Sequence, residues 1–93
     1  MKVAIFGLGY VGFTAACCIA SEGHQVVGID VSDRKVAAIR AGQAPIVEPE
    51  VQRLLEEGLA RGLIAADTAI GAHLADADLA IVCVGTPSAA DGA

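Results

Sequence analysis

The sequence predicts an α/β fold in which one parallel β-sheet is covered by helices on both faces. Short apolar runs alternate with segments of helical periodicity, and this alternation is typical of parallel strands joined by helical crossovers. Hydrophobic residues make up 55% of the 93 residues and aromatic residues only 3%, so the core must be built mainly from aliphatic side chains. Sheets that are buried on both faces have this composition. Many of the segments end at one of the 11 glycines.

The first third of the chain predicts a strand, a helix and a second strand. The apolar run Lys2–Phe6 is expected to be a strand buried on both faces. A helix over Tyr10–Glu22 is expected to end at Gly23, because glycine favours the position after a helix C-terminus. The second strand is predicted over Gln25–Asp30. The residues of the helix that recur at helical spacing and are expected to be buried are Val11, Ala15, Cys18 and Ile19, with Ala16 and Ala20 on a neighbouring face.

Two helices are predicted before the next strand. Ser32 is a suitable N-cap for a helix that continues to Arg40. Pro45 and Pro49 exclude a helix between them, and Pro49 suits the first turn of a second helix, which is expected over about 50–60. The apolar positions expected to face the sheet are Val36 and Ile39 in the first helix, and Val51, Leu54, Leu55 and Leu59 in the second.

The last third predicts a strand, a short helix and a final strand. Leu63–Thr68 is expected to be a short third strand, with Thr68 capping a brief helix that continues to Leu74. Leu79–Val84 is expected to be a fourth, buried strand, followed by a loop. We expect the four strands in the order 3-2-1-4, as part of a doubly wound sheet that is incomplete at its C-terminal end.

A glycine-rich turn joins the first strand to the first helix. Gly7, Gly9 and Gly12 match the pattern Gly-x-Gly-x-x-Gly in the strand-to-helix context in which it binds a dinucleotide, whereas a simple turn would need only one glycine. Gly7 permits the tight turn, Gly9 allows the backbone to approach a pyrophosphate, and Gly12 allows the helix to pack closely. Backbone N–H groups around Tyr10 and Val11 would then face the phosphates. The pattern predicts a Rossmann-type NAD-binding domain.

Three further side chains are candidates for the same site. Asp30 closes the second strand and is expected to accept hydrogen bonds from the adenosine ribose, since Ser32 already supplies the cap of the next helix. Its charge would repel a 2′-phosphate and so favours NAD over NADP. Lys35 either reaches the same ribose or faces solvent. Thr86 follows the fourth strand at the switch-point crevice, where it either contacts the nicotinamide half or serves as a turn residue.

Composition and spacing argue against other classes of protein. The net charge is −5 without a basic run, which disfavours nucleic-acid and anionic-membrane partners, and no apolar run approaches the roughly 20 residues of a membrane span. A cytoplasmic location is expected. Cys17, Cys18 and Cys83 lack disulfide or metal-ligand spacing and are expected to be small buried residues. No metal site is predicted, and His24 and His73 are expected at the surface.

Four segments in the same order resemble the N-terminal part of the UDP-glucose/GDP-mannose dehydrogenase family of nucleotide-sugar 6-dehydrogenases. They are residues 5–12 (Ile-Phe-Gly-Leu-Gly-Tyr-Val-Gly), residues 28–36 with Gly-Ile-Asp and Lys-Val, residues 45–49 (Pro-Ile-Val-Glu-Pro), and residues 82–88 (Val-Cys-Val-Gly-Thr-Pro-Ser). The resemblance covers the whole chain. It implies oxidation of a sugar C6 alcohol to a carboxylate by two NAD-dependent hydride transfers, with a covalent thiohemiacetal on a catalytic cysteine between them.

The resemblance also implies roles for individual residues. It implies cofactor contacts from Tyr10, Val11, Asp30, Lys35 and Thr86, beside the three glycines. The catalytic cysteine and the sugar-nucleotide pocket lie in later parts of the family's chains. No catalytic residue is therefore expected within residues 1–93, which are identified as the N-terminal part of the dinucleotide-binding domain and are expected to be inactive alone.

The chain departs from the family's usual pattern in two places. Glu50 stands where glycine usually follows the Glu-Pro pair, and Asp67-Thr68-Ala69 stands where a Thr-Thr-Asp-like stretch is usual. Both departures are expected to affect local structure more than function. Cys83 is a strand residue and is not expected to be the catalytic cysteine.

The resemblance favours GDP-mannose over UDP-glucose as the substrate of the full-length enzyme. Val47 stands where UDP-glucose enzymes more often have an aromatic residue, and residues 83–88 are closer to the GDP-mannose group. A homo-oligomer acting in polysaccharide biosynthesis is implied. The alternatives are a UDP-glucose enzyme, a 3-hydroxyacid or 6-phosphogluconate-type dehydrogenase using NADP, and a non-catalytic nucleotide-sensing module. Asp30 and the Pro-Ile-Val-Glu-Pro segment disfavour the NADP enzymes.

Overall fold

The computed structural model describes residues 1–83, so the predicted contact of Thr86 lies outside the described residues. Four strands and four helices alternate largely as the sequence predicts. In chain order the elements are β1 (Lys2–Phe6), α1 (Tyr10–Ser21), β2 (Gln25–Ile29), α2 (Asp33–Arg40), α3 (Pro49–Ala60), β3 (Ile64–Asp67), α4 (Gly71–Asp76) and β4 (Leu79–Val82). None of the helices within residues 1–83 is long and apolar enough to cross a membrane.

The strands form one parallel sheet in the order β3-β2-β1-β4, which confirms the predicted order 3-2-1-4. Since side chains alternate between the faces of a strand, β1 and β2 contribute to two apolar layers, one on each face of the sheet. The larger layer lies between the sheet and α1, α2 and α3, and contains Val3, Ile5 and Val26. The smaller layer, on the opposite face, consists of Ala4, Val27 and Ile29, with the partly buried Phe6 and Ala77 packed against them. The carboxyl ends of all four strands therefore meet along one edge of the sheet.

Helix α1 buries a different face from the predicted one. The prediction placed Val11 and Cys18 in the core, but Val11 is 67% exposed and Cys18 is exposed. Ala15 and Ile19 are only partly buried. The buried face of the helix consists of Gly12, Phe13, Ala16, Cys17 and Ala20. Nearly every position of this helix is apolar or small, so several faces fit a helical period and the sequence could not fix which one meets the sheet.

The end of the described chain also differs from the prediction. Helix α4 begins after Ile70 and continues to Asp76, and Thr68 does not cap it. The backbone N–H of Thr68 instead donates to Asp67 Oδ1 at 2.7 Å, so that Asp67 forms the turn. Strand β4 is not buried as predicted: Leu79 and Val82 are 47% and 67% exposed. Within residues 1–83 it pairs with β1 alone, as an edge strand.

The remaining predictions about single residues have mixed outcomes. Cys17 is buried as expected, but Cys18 is exposed and Cys83 is only partly buried. His73 is not a free surface residue, because its Nε2 lies 2.8 Å from Asp67 Oδ2. In α3, Val51 and Leu55 are buried as predicted, and Leu54 and Leu59 pack against the core while partly exposed.

Candidate functional site

The three predicted glycines lie in one tight connection between β1 and α1. Gly7 has a φ of +98°, which glycine tolerates and other residues rarely adopt. Its N–H donates to the carbonyl oxygen of Ile29 at 2.8 Å, so the turn is attached to the end of β2. A Cβ on Gly12 would lie 1.8 Å from the Gly7 carbonyl oxygen, whereas a Cβ on Gly9 would meet no atom of residues 1–83 within 4 Å. Gly12 thus allows the helix to approach the turn, and Gly9 borders open space.

Within residues 1–83, the amino end of α1 has no side-chain cap. Gly9 is the N-cap residue and has no side chain with which to accept a hydrogen bond from the first turn of the helix. The first turn contains no acidic residue, so the positive end of the helix dipole is not neutralised there. Tyr10 and Val11 are both about two-thirds exposed. Phosphate groups bind at helix N-termini of this kind through the unpaired backbone N–H groups.

Asp30 lies directly after β2, and its carboxylate is bonded to the glycine turn. Its Oδ2 accepts the Leu8 N–H at 2.8 Å, and its Oδ1 accepts the Ser32 N–H at 2.9 Å. The side chain is only 11% exposed. Partial burial acts to raise the pKa of Asp30, but the backbone donors at Leu8 and Ser32, together with the Lys35 ammonium group, outweigh it and leave the pKa below its ordinary value. The carboxylate is therefore charged and oriented at the edge of the sheet where the glycine turn lies.

Lys35 lies beside Asp30 in the structure. The Ser32 hydroxyl accepts the Lys35 N–H at 3.3 Å and so caps α2, which places Lys35 in its first turn. The Lys35 Nζ atom is 3.9 Å from Asp30 Oδ2. The side chain is 41% exposed, so the ammonium group is both close to the carboxylate and accessible to a ligand.

A cleft of about 220 Å³ opens at the carboxyl ends of the strands, beside Asp30. Its lining combines the glycine turn and the end of β2 with the connection from β3 to α4. The lining residues are Phe6, Gly7, Ile29, Asp30, Val31, Thr68 and Ile70. The sequence analysis did not assign Val31, Thr68 and Ile70 to the site. Their neighbourhood depends on β3 lying beside β2, and the only available signal was their position just after predicted strands.

Leu8 and Gly28 form a second contact that the sequence analysis missed. Leu8 occupies a variable position of the glycine pattern, yet its side chain is only 1% exposed. A Cβ on Gly28 would lie 2.6 Å from Leu8 Cδ2, so the glycine in β2 leaves room for this side chain. Burial of Leu8 brings its backbone N–H to Asp30 and thereby fixes the glycine turn against β2.

Comparison with known proteins places these features in one family. The model of the UDP-glucose/GDP-mannose dehydrogenase family, NAD binding domain, matches residues 1–93. A GDP-mannose 6-dehydrogenase of Pseudomonas syringae pv. tomato is 46% identical over 92 residues, covering 99% of this chain and 21% of that protein. A UDP-glucose 6-dehydrogenase of Bacillus subtilis is 35% identical over 92 residues, with the same coverage of both chains.

Solved structures show the same similarity in three dimensions. A GDP-mannose dehydrogenase from Pseudomonas aeruginosa superposes with a TM-score of 0.93 at 43% identity, covering 100% of this chain and 21% of the other. A UDP-glucose dehydrogenase from Pyrobaculum islandicum has a TM-score of 0.88 at 37% identity, with 97% and 21% covered. The chain thus spans about a fifth of the length of the relatives it matches.

Proposed function

The chain belongs to the UDP-glucose/GDP-mannose dehydrogenase family, as its NAD-binding domain, and from this membership we propose that it holds NAD in an enzyme that oxidises the sugar C6 alcohol of a nucleotide sugar to a carboxylate. The proposal rests on the arrangement of the glycine turn, the start of α1 and Asp30. The glycine turn ends at an uncapped helix N-terminus, and the Asp30 carboxylate is bonded to that turn through Leu8 N–H.

The residues present fit the two halves of the adenosine diphosphate portion of the cofactor. Gly9, where a Cβ would fill otherwise open space, leaves room for the pyrophosphate beside the N–H groups of Tyr10 and Val11. The Asp30 carboxylate would accept hydrogen bonds from the ribose hydroxyls, with Lys35 next to it. The cleft beyond Asp30 is mainly apolar and would hold the adenine. When bound, NAD supplies the hydride acceptor of the reaction.

We propose residues 1–93 as the N-terminal part of a larger dinucleotide-binding domain. Thr86 would contact the nicotinamide half from the connection that follows β4. Catalytic residues and the sugar pocket would lie in other parts of the enzyme, in keeping with relatives almost five times as long. We expect no catalytic residue and no metal ligand among residues 1–93.

GDP-mannose is the proposed sugar nucleotide. The support is the degree of similarity: the GDP-mannose 6-dehydrogenases of the Pseudomonas species are 44–46% identical, against 35–36% for the UDP-glucose 6-dehydrogenases. We also propose a cytoplasmic homo-oligomer acting in polysaccharide biosynthesis. Light scattering on the intact enzyme and cell fractionation test the assembly and the location.

The substrate is tested by steady-state kinetics on the intact enzyme. NADH formation is followed with GDP-mannose and with UDP-glucose at matched concentrations, and kcat/KM is compared. We expect the larger value for GDP-mannose. A larger kcat/KM for UDP-glucose would make UDP-glucose the substrate and leave the proposed reaction unchanged. NAD binding without oxidation of either sugar nucleotide would support a non-catalytic NAD-binding module.

A further inference from the structure

Asp67, the last residue of β3, organises the turn that leads into α4. Its Oδ1 accepts the backbone N–H groups of Thr68 at 2.7 Å and of Ala69 at 3.2 Å. These bonds fix the path of the three residues between β3 and α4. Two of the three, Thr68 and Ile70, line the cleft beside Asp30, although Asp67 itself does not.

Two side chains, from α2 and from α4, contact different oxygens of the Asp67 carboxylate. His73, in α4, places its Nε2 2.8 Å from Oδ2. Arg40, at the end of α2, places a terminal nitrogen 3.6 Å from Oδ1, and its Nε donates to the Ala66 carbonyl oxygen at 2.9 Å. The hydrogen bond from His73, followed by the donors of the turn, lowers the pKa of Asp67 to about 2. The carboxylate is therefore an ionised acceptor shared by α2, α4 and the turn.

We propose that Asp67, held between His73 and Arg40, is a positioning residue that fixes the Thr68–Ile70 wall of the cleft against the adenosine end of NAD. The inference rests on the proposed function, because the ligand of the cleft is the adenosine half of that cofactor. Asp67 acts through the backbone of the turn, without touching the cofactor. The opposite wall, formed by Asp30 and Val31, directly follows β2, so the width of the cleft depends on the turn after β3.

The hydrogen bonds from the turn to Asp67 should stabilise this region more than the ion pairs do. Partly exposed ion pairs contribute little by themselves, and the side chains of Asp67, His73 and Arg40 are all partly exposed. A charged acceptor that binds two backbone N–H groups is stronger, because charge-assisted hydrogen bonds exceed neutral ones. Loss of Asp67 should therefore free the turn, with the loss of His73 having a smaller effect in the same direction.

The chain offers a matched control in Asp76, at the other end of α4. Asp76 is a more exposed carboxylate, 74% against 31% for Asp67, and it is likewise paired with a cation, since its Oδ2 lies 2.9 Å from Lys2 Nζ. That pair involves the first residue of β1, at the amino edge of the sheet, away from the cleft. Asp67→Ala and Asp76→Ala thus remove the same chemical group from the same neighbourhood of the chain, but only one of them supports the cleft wall.

The experiment measures the dissociation constants of NAD and of ADP-ribose by calorimetry on the intact protein, with thermal unfolding recorded for each variant. We expect Asp67→Ala to weaken both ligands by the same factor, roughly three- to tenfold, because the defect lies at their common adenosine end. Asp67→Asn keeps an oxygen that accepts from the turn and should restore most of the affinity. Asp76→Ala should bind both ligands as the unmutated protein does.

Each outcome decides between the hypotheses. If Asp67→Ala binds NAD as tightly as Asp76→Ala, or loses affinity for NAD but not for ADP-ribose, the inference is wrong while the proposed function stands. If Asp67→Ala does not fold, His73→Ala decides, since it keeps the carboxylate and must weaken both ligands roughly two- to threefold. If the unmutated protein binds no NAD, the proposed function itself fails.

Discussion

At the scale of single residues, the structural contacts of Asp30 are compatible with the binding role proposed for it. Its two carboxylate oxygens already accept N–H groups from Leu8 and Ser32, and each oxygen can accept further hydrogen bonds. A ribose could thus be bound without breaking the contacts that orient the carboxylate. The position of Asp30 at the end of a strand was sufficient to predict it as a site residue. Its bond to Leu8 was not predictable, because it depends on how the glycine turn folds against β2.

The charge of Asp30 should make the protein select NAD over NADP. A 2′-phosphate at this ribose would lie close to the carboxylate, and the repulsion at such range costs roughly 1–4 kcal/mol. Calorimetric titration of the intact protein with each cofactor measures the difference. Asp30→Asn keeps an acceptor for the Leu8 N–H but removes the charge, so it should narrow the gap. Equal affinities in the unmutated protein would contradict the prediction.

Replacing Gly12 by alanine should lower stability, whereas replacing Gly9 by alanine should weaken NAD binding. Gly12→Ala places a methyl group on the Gly7 carbonyl oxygen and should lower the free energy of unfolding by about 1–3 kcal/mol or more. Gly9 has a φ of −74° and open space around it, so Gly9→Ala should fold with nearly unchanged stability.

The same Gly9→Ala variant should bind NAD roughly tenfold or more weakly, since its methyl group enters the space proposed for the pyrophosphate. Urea unfolding and calorimetry on both variants separate the two effects. Tight NAD binding by Gly9→Ala would show that the pyrophosphate lies elsewhere.

At the scale of elements, the sequence predicted the existence and order of all eight helices and strands within residues 1–83, and most of their bounds to within a residue or two. Strong local signals carried these predictions: apolar runs for strands, glycine after helices, and Ser32 and Pro49 at helix starts. The errors arose where local pattern is ambiguous or where another element decides. In α1, where nearly every residue is apolar or small, the sequence left the buried face undetermined. For β4, an apolar run predicted burial. Whether a strand is buried also depends on which elements pack beside it, and the strand's own sequence does not specify them.

The observed orientation of α1 predicts different chemistry for its two adjacent cysteines. Burial, followed by the nearby Cys18, raises the pKa of the Cys17 thiol to about 11, whereas Cys18 is exposed. A thiol-specific alkylating reagent at mildly alkaline pH should modify Cys18 in the native protein and leave Cys17 unmodified, because reactivity requires an accessible thiolate. Peptide mass spectrometry, with urea-unfolded protein as the control in which both react, measures this.

Serine substitutions at the same two positions test the packing directly. Cys17→Ser buries a hydroxyl in an apolar layer and should lower the free energy of unfolding by about 1–3 kcal/mol, whereas Cys18→Ser should change it by less than about 0.5 kcal/mol. Preferential labelling of Cys17, or equal effects of the two substitutions, would contradict the observed orientation of α1. It would favour the predicted orientation, in which Cys18 is buried.

At the scale of the whole molecule, several of the carboxylates take part in ion pairs or accept hydrogen bonds from the backbone. The net charge is −5, and several carboxylates have a pKa below the ordinary value because they are paired or accept hydrogen bonds. Asp30 directly follows β2, and Asp67 is the last residue of the neighbouring strand β3, so both lie at the carboxyl edge of the sheet. Asp67 accepts the N–H groups of Thr68 and Ala69, and Asp30 accepts those of Ser32 and Leu8, so in both cleft walls a carboxylate holds backbone N–H groups.

This placement predicts that the folded protein loses stability in acid. A carboxyl group whose pKa is lower in the folded than in the unfolded state stabilises the fold above its unfolded pKa, and this contribution disappears as the pH falls through the folded pKa. For Asp67 the window extends from its ordinary pKa of 3.8 down to about 2, and Asp30 acts in the same direction. The free energy of unfolding should therefore decrease continuously between about pH 5 and pH 2.

Urea unfolding at intervals across that pH range measures the decrease in the free energy of unfolding. The Asp67→Asn variant, whose side chain cannot titrate, should show a shallower decline below pH 4. A free energy that stays constant down to pH 3, or an Asp67→Asn profile parallel to that of the unmutated protein, would mean that these carboxylates gain nothing from the folded structure.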